Sequence, residues 1–245
     1  MEDQIINIIV IGVLSWTTLF FITRIVFKNH SFEFCTRIVS TIHATLAVTF
    51  ASLSVQDWSC PVCPLASKSS LKQRQTLAVT ISYLIYDLIC CLFDKNTVKL
   101  DSSIHHLVSI VGLAAGLAYQ KCGSEMVAAL WITEMSTPLL HLREILKEIG
   151  YKDTGINLAV DIGFAIVFTS ARMICGPYLT YVTLSANNPV LIKAMALGLQ
   201  LVSAFWLYKI VRMVQYKLSK WISSSSSSKT IPSISTHHEQ NGKDR

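Results

Sequence analysis

Of the 245 residues, 51% are hydrophobic and 15% charged, with a mean hydropathy of +0.47 and a net charge of +6. Soluble domains carry about 25% charged residues, so this composition excludes an ordinary soluble domain. The basic balance does not indicate nucleic acid either, because the Lys and Arg residues cluster at the ends of apolar blocks, the pattern of membrane orientation. An all-α integral membrane protein of one membrane domain is the class these figures imply.

The first block, Ile5 to Phe27, follows Glu2 and Asp3 instead of a basic region and lacks a small-x-small cleavage site. It reads as an uncleaved spanning helix, not a signal peptide. Apolar windows of spanning length then place helices at about 33–55, 75–93, 102–120, 123–146, 155–182 and 190–213, seven in all. Between the second and third, Cys60-Pro-Val-Cys63 lies in a loop, where a stabilising disulfide or free thiols are expected. Cys35, Cys90, Cys91, Cys122 and Cys175 lie in or beside apolar segments and read as packing residues. Asp101-Ser102-Ser103 suits the N-cap of the fourth helix. Pro138 and Gly176-Pro177 should kink the fifth and sixth, since proline removes a helical donor and crowds the preceding turn. After Trp221 the chain runs through Ser223 to Ser228 and stays polar to Arg245, a composition expected to be disordered. The chain thus divides into a first helix in 1–31, a membrane domain in 32–216 and a Ser-rich tail in 217–245.

Counting Lys and Arg on alternate sides gives thirteen, among them Arg24, Arg37, Arg143, Lys209 and Lys217, against the four of Lys68, Lys72, Arg74 and Lys121. The richer side is assigned to the cytosol, with the N-terminus lumenal and the C-terminus cytosolic.

A charge at the centre of a spanning helix costs about 2.5–3.5 kcal/mol on insertion scales, so ionisable residues there are candidate functional groups. His43, Asp87, His105, His106, Glu134, Asp161 and Arg172 all fall inside the predicted helices. All but Arg172 lie between the cytosolic face and the midplane, and Arg172, eleven residues after Asp161, is predicted deeper on the same face. A polar cavity in the cytosolic half follows, where His105, His106 and Glu134 converge with Asp87 and His43 as neighbours. Adjacent histidines cannot both reach one tetrahedral metal from a regular helix, and although His43 and Glu134 could complete such a site, no metal is assigned.

Arg37-x-x-Ser40-x-x-His43, Tyr83-x-x-Tyr86-Asp87, His105-His106, Glu134-x-Ser136-x-Pro138 with Arg143, then Arg172, Trp206 and Lys209, in this order, resemble the TLC domain. That family includes the translocating-chain-associated proteins, the ceramide synthases and a ceroid-lipofuscinosis protein. The resemblance spans about Phe32 to Tyr216 and implies a TLC-type helical bundle of the endomembrane system, most simply the endoplasmic reticulum, that handles lipids. Ceramide synthases carry a His-His pair and then His-Asp-x-x-Asp; here His105 and His106 match the pair, but Thr133-Glu134-Met135-Ser136-Thr137 departs from the second motif. The pattern is closer to the small TLC-domain-containing proteins than to the synthases.

The resemblance therefore implies a protein that binds or senses membrane lipid, whether sphingolipid, phospholipid or acyl chain, and influences lipid composition. His43, Tyr83, Asp87, Asp161 and Arg172 would contact the lipid. The alternative it implies is an acyl-CoA-dependent N-acyltransferase, with His105 or His106 as base and Glu134 orienting it; acyl-CoA would then be substrate, and no cofactor is expected. A proton-linked transporter using Asp87, Glu134 and Asp161 is the third class.

Overall fold

The computed structural model describes residues 2–93 and 100–227. The helices are α1 (Glu2–Val26), α2 (Phe32–Ser54), α3 (Leu71–Phe93), α4 (Leu100–Tyr119), α5 (Gly123–Glu134), α6 (Thr137–Leu146), α7 (Gly155–Phe168), α8 (Gly176–Ser185) and α9 (Val190–Ser227). Local chemistry sets several boundaries. The Ser31 hydroxyl accepts the Phe34 N–H at 3.0 Å to cap α2, and Thr154 accepts from Asn157 at 3.3 Å to cap α7. The π-helical segment Lys147–Tyr151 ends the turn after α6, where Gly150 has φ 97°, a conformation that disfavours any side chain.

Both proline sites interrupt their helices. The fifth predicted helix is two pieces, α5 and α6, with a turn at Met135 and Ser136 and Pro138 in the first turn of α6. Pro138 has no N–H to offer the Glu134 carbonyl, so the α-helical ladder cannot run through. The sixth passes from α7 through a π-helical segment, Thr169–Cys175, into α8 at Gly176-Pro177. Here the Gln200 side-chain amide of α9 donates to the Arg172 carbonyl at 3.3 Å, so a neighbouring helix supplies a donor at the irregular turn.

Two boundaries differ from expectation. The described part of α4 begins at Leu100, so Asp101-Ser102-Ser103 are helical instead of preceding the helix. Helix α9 runs 38 residues to Ser227, about 57 Å at 1.5 Å per residue, so the tail expected from 217 begins inside a helix. Once a helix is nucleated, adding residues costs little even for serine. The remainder of the expected tail, with Lys95, Lys99 and Lys229, lies outside the described residues.

Among the described residues six helical segments are long and apolar enough to cross a membrane, and α5 and α6 follow one another as two shorter helices. Helices α2, α3, α4, α9, α7–α8 and α5–α6 pack successively and close back on α2. Helix α1 stands outside this ring against α3 and α2. It presents Ile11, Leu14, Phe21 and Ile25 outward, each more than half exposed, an arrangement that suits lipid and not water.

The two ends of the ring differ. One carries Arg37, Arg143, Lys147 and Lys217. At the other, a Cys60–Cys63 disulfide lies in the α2–α3 loop, Lys68 and Lys121 form a single β-bridge, and Lys193 donates to the Leu184 carbonyl at 2.7 Å. Of the two expectations for the cysteine pair, the disulfide is the one found. Lys193 adds a fifth cation to the four counted for that side.

Candidate functional site

Inside the ring the described residues line two adjoining cavities. The larger, about 390 Å³, sits at the basic end, with Arg37, Asp87, His106, His141 and Glu144 in its wall. The smaller, about 120 Å³, continues toward the disulfide end and is lined chiefly by apolar side chains such as Leu113, Met126, Leu130, Leu179, Ile192 and Met195. Leu84, His105, Glu134 and Arg172 line both, so the cavities meet at a polar junction.

The helix irregularities build that junction. The fifth helix breaks immediately after Glu134, and the Thr133 carbonyl accepts from the Arg172 guanidinium and, at 3.4 Å, from the Thr137 hydroxyl. Arg172 projects from the π-helical segment, 4% exposed, with its guanidinium 5.2 Å from the Phe168 ring centre and 5.5 Å from that of Trp206. Its Nε and Nη1 are buried without a hydrogen-bond partner, and Arg172 and Glu134 line both cavities. The His105 ring lies 4.8 Å from Trp206, and its Nδ1 is also unpartnered.

His106, one residue on and so rotated about 100° around the helix, pairs through Nε2 with Asp87 Oδ2 at 3.1 Å. His105, His106, Glu134, Asp87, Tyr83 and Arg172 all line the larger cavity. Tyr83 is oriented from behind, donating its hydroxyl to Ser40 at 2.7 Å.

Two expected site residues lie elsewhere. His43 is buried behind the cavity wall, stacked on Tyr83 at 3.7 Å and edge-on to Trp16, with neither ring nitrogen hydrogen-bonded. Asp161 pairs with Arg143 Nε at 2.8 Å, at an angle too poor for a hydrogen bond, and with the Lys217 ammonium, which also reaches Asn157 Oδ1 at 3.0 Å. It pins α7 to α6 and α9 and does not line either cavity. Asp161 and Arg172 lie on one buried stripe with Phe164 and Phe168, and both reach the α5–α6 pair and α9, Arg172 from the π-helical segment one turn past Phe168.

The structure adds residues that the sequence did not mark as a site. His141 enters the larger cavity seven positions after Glu134, two turns on the same stripe. Cys91 lines it four positions after Asp87. Glu125, buried at 2%, reaches the apolar cavity while accepting the Ala66 N–H at 2.6 Å. The 3.6-residue spacing puts His141 on the stripe of Glu134 in the sequence already, though not as a site residue, and could have found Cys91; Glu125 sits in the first turn of a helix, where acidic residues are ordinary.

Comparison with known proteins agrees with this architecture. The family pattern of the TLC domain matches residues 27–212. The chain is similar to TLC domain-containing protein 4 C of Dictyostelium discoideum, 29% identical over 155 residues, covering 61% of this chain and 55% of that protein. It is also similar to a TLC domain-containing protein of Acanthamoeba polyphaga mimivirus, 24% identical over 151 residues, covering 58% of this chain and 73% of the viral one. The matched region thus spans little more than half of the Dictyostelium protein's length.

Proposed function

Because this chain belongs to the TLC domain family of membrane proteins, we propose that the two cavities form one slot for a membrane lipid. The polar vestibule takes the headgroup and the apolar well takes the start of an acyl chain. The observation that supports this reading is the end-to-end meeting of a polar and an apolar cavity at His105, Glu134 and Arg172, the outline of an amphiphile. The vestibule alone falls in the range of about 300–1,000 Å³ typical of ligand pockets. Through such binding the protein senses or adjusts membrane lipid composition. The reading places it in the endoplasmic reticulum membrane, with the basic end cytosolic by the positive-inside asymmetry.

Native mass spectrometry of the full chain in mild detergent tests the slot. Wild type is expected to carry a phospholipid or sphingolipid, and Ala129→Leu, which pushes a larger side chain into the well, to lose it at least tenfold with unchanged thermal stability. Equal lipid content in a folded Ala129→Leu protein overturns the reading. An acyl-CoA-dependent N-acyltransferase is the second reading, favoured by the unpartnered Nδ1 of His105. A covalent acyl adduct, or an acylated amine product lost in His105→Asn, would select it.

A further inference from the structure

On the vestibule wall, Asp87 and Cys91 are four residues apart on α3, one helical turn, and therefore point the same way. His106 of α4 faces them, and the carboxylate oxygen, thiol sulfur and imidazole nitrogen all lie within 4.8 Å of one another. A nucleophilic relay would engage both imidazole nitrogens, one with the cysteine and the other with the carboxylate. That arrangement is not present: Asp87 occupies Nε2 at 3.1 Å, and Nδ1 of His106 has no hydrogen-bond partner. Three ligand atoms of three chemical types instead gather around one point.

We propose that Asp87, Cys91 and His106 bind a zinc-class divalent ion whose fourth position faces the vestibule. In a tetrahedral site with zinc bond lengths of 2.0–2.3 Å, neighbouring ligand atoms stand about 3.3–3.6 Å apart. The Asp87–His106 separation of 3.1 Å is already near that, and the sulfur, within 4.8 Å of the other two atoms, needs to draw in by at most about 1.5 Å, a side-chain rotation. The mixed donor set suits zinc: a carboxylate and a thiolate neutralise its charge, while imidazole and thiolate disfavour magnesium and calcium. On binding, the Cys91 thiol passes its proton to the buffer. The resulting complex is neutral, which lowers the cost of keeping the Asp87 carboxylate between membrane helices. All three ligands line the larger cavity, so water completes the shell, and three protein ligands plus water is the composition of zinc sites that polarise a substrate oxygen. Two adjacent histidines on one helix cannot share the ion; the pairing that matters is one histidine with a one-turn Asp-x-x-x-Cys on the facing helix.

Cobalt substitution tests this directly. The full chain, purified without a polyhistidine tag and stripped by chelator, is titrated with Co²⁺ and then Zn²⁺. Expected are the visible bands of tetrahedral cobalt with a near-ultraviolet thiolate-to-cobalt band, displaced by one equivalent of zinc. Cys91→Ser should lose the thiolate band and bind zinc at least tenfold more weakly, Asp87→Asn should weaken zinc similarly, and Cys90→Ser should match wild type. Absence of the thiolate band in wild type, or zinc binding unchanged by Cys91→Ser and Asp87→Asn, overturns the site. Should those variants fail to fold, alkylation of wild type decides: zinc must protect Cys91 from maleimide, and equal labelling with and without zinc refutes the proposal.

Discussion

Replacing Asp161 with Asn isolates the role the structure gives this carboxylate. Its side chain is 1% exposed and faces two cations, Arg143 at 11% and Lys217 at 17% exposed. Asparagine keeps the shape and deletes the charge, leaving two buried cations without their shared anion. Arg143 retains Glu144 at 3.3 Å and Lys217 retains Asn157 at 3.0 Å, so the loss should fall within the usual cost of about 3–5 kcal/mol for breaking a buried pair. For a chain of this size about 2–4 °C accompanies each kcal/mol, which corresponds to a fall of about 6–20 °C. The assay is thermal unfolding in detergent by intrinsic fluorescence at one scan rate, since membrane proteins seldom unfold reversibly. A fall below about 2 °C would refute the reasoning, because it would mean that water already screens the three charges. Adding Lys217→Met to Asp161→Asn should recover more than about 1 kcal/mol, the coupling expected of direct contact. Lipid content per folded molecule should not change; a loss would return Asp161 to the binding site.

His43→Phe should be neutral or stabilising by up to about 1 kcal/mol, since it keeps the stack on Tyr83 and removes two unpartnered nitrogens; a drop in melting temperature of several degrees would count against a purely packing role. Cys60→Ser with Cys63→Ser should cost at most about 2 kcal/mol, because the disulfide closes a short loop, and lipid binding should be unchanged. Loss of binding in that folded double variant would connect the loop to the slot. A protease site inserted after Ser227 should be cut from the cytosolic side of sealed microsomes; protection there would reverse the assigned orientation.

The helical class was legible because hydrophobic blocks of spanning length leave few alternatives, and the proline positions marked where two helices would break. What the proline residues do to the surroundings was not legible. The π-helical segment before Gly176-Pro177 carries Arg172 at the junction of the two cavities, and a strict 3.6-residue wheel contains no such segment. His105, His106, Glu134 and Asp87 were found by the cost of charge in lipid, which says that a group is inward but not what it faces. Asp161 obeys the same rule by pairing with Arg143 and Lys217, so the rule that located the site also gathered a structural ion pair. Cys91 was passed over because a cysteine in an apolar helix ordinarily packs, and only the facing His106 makes its position informative.

The outer placement of α1 bears on how a lipid would reach the slot. A ring of six staves has six seams, and a guest arriving from the bilayer must push a neighbouring pair of staves aside. Helix α1 straps the seam between α2 and α3, contacting both, and its Trp16 indole donates to Ser82 of α3 at 3.2 Å while its ring packs edge-on to Tyr83. That route is barred by a third helix, so a sideways passage is confined to the five unstrapped seams.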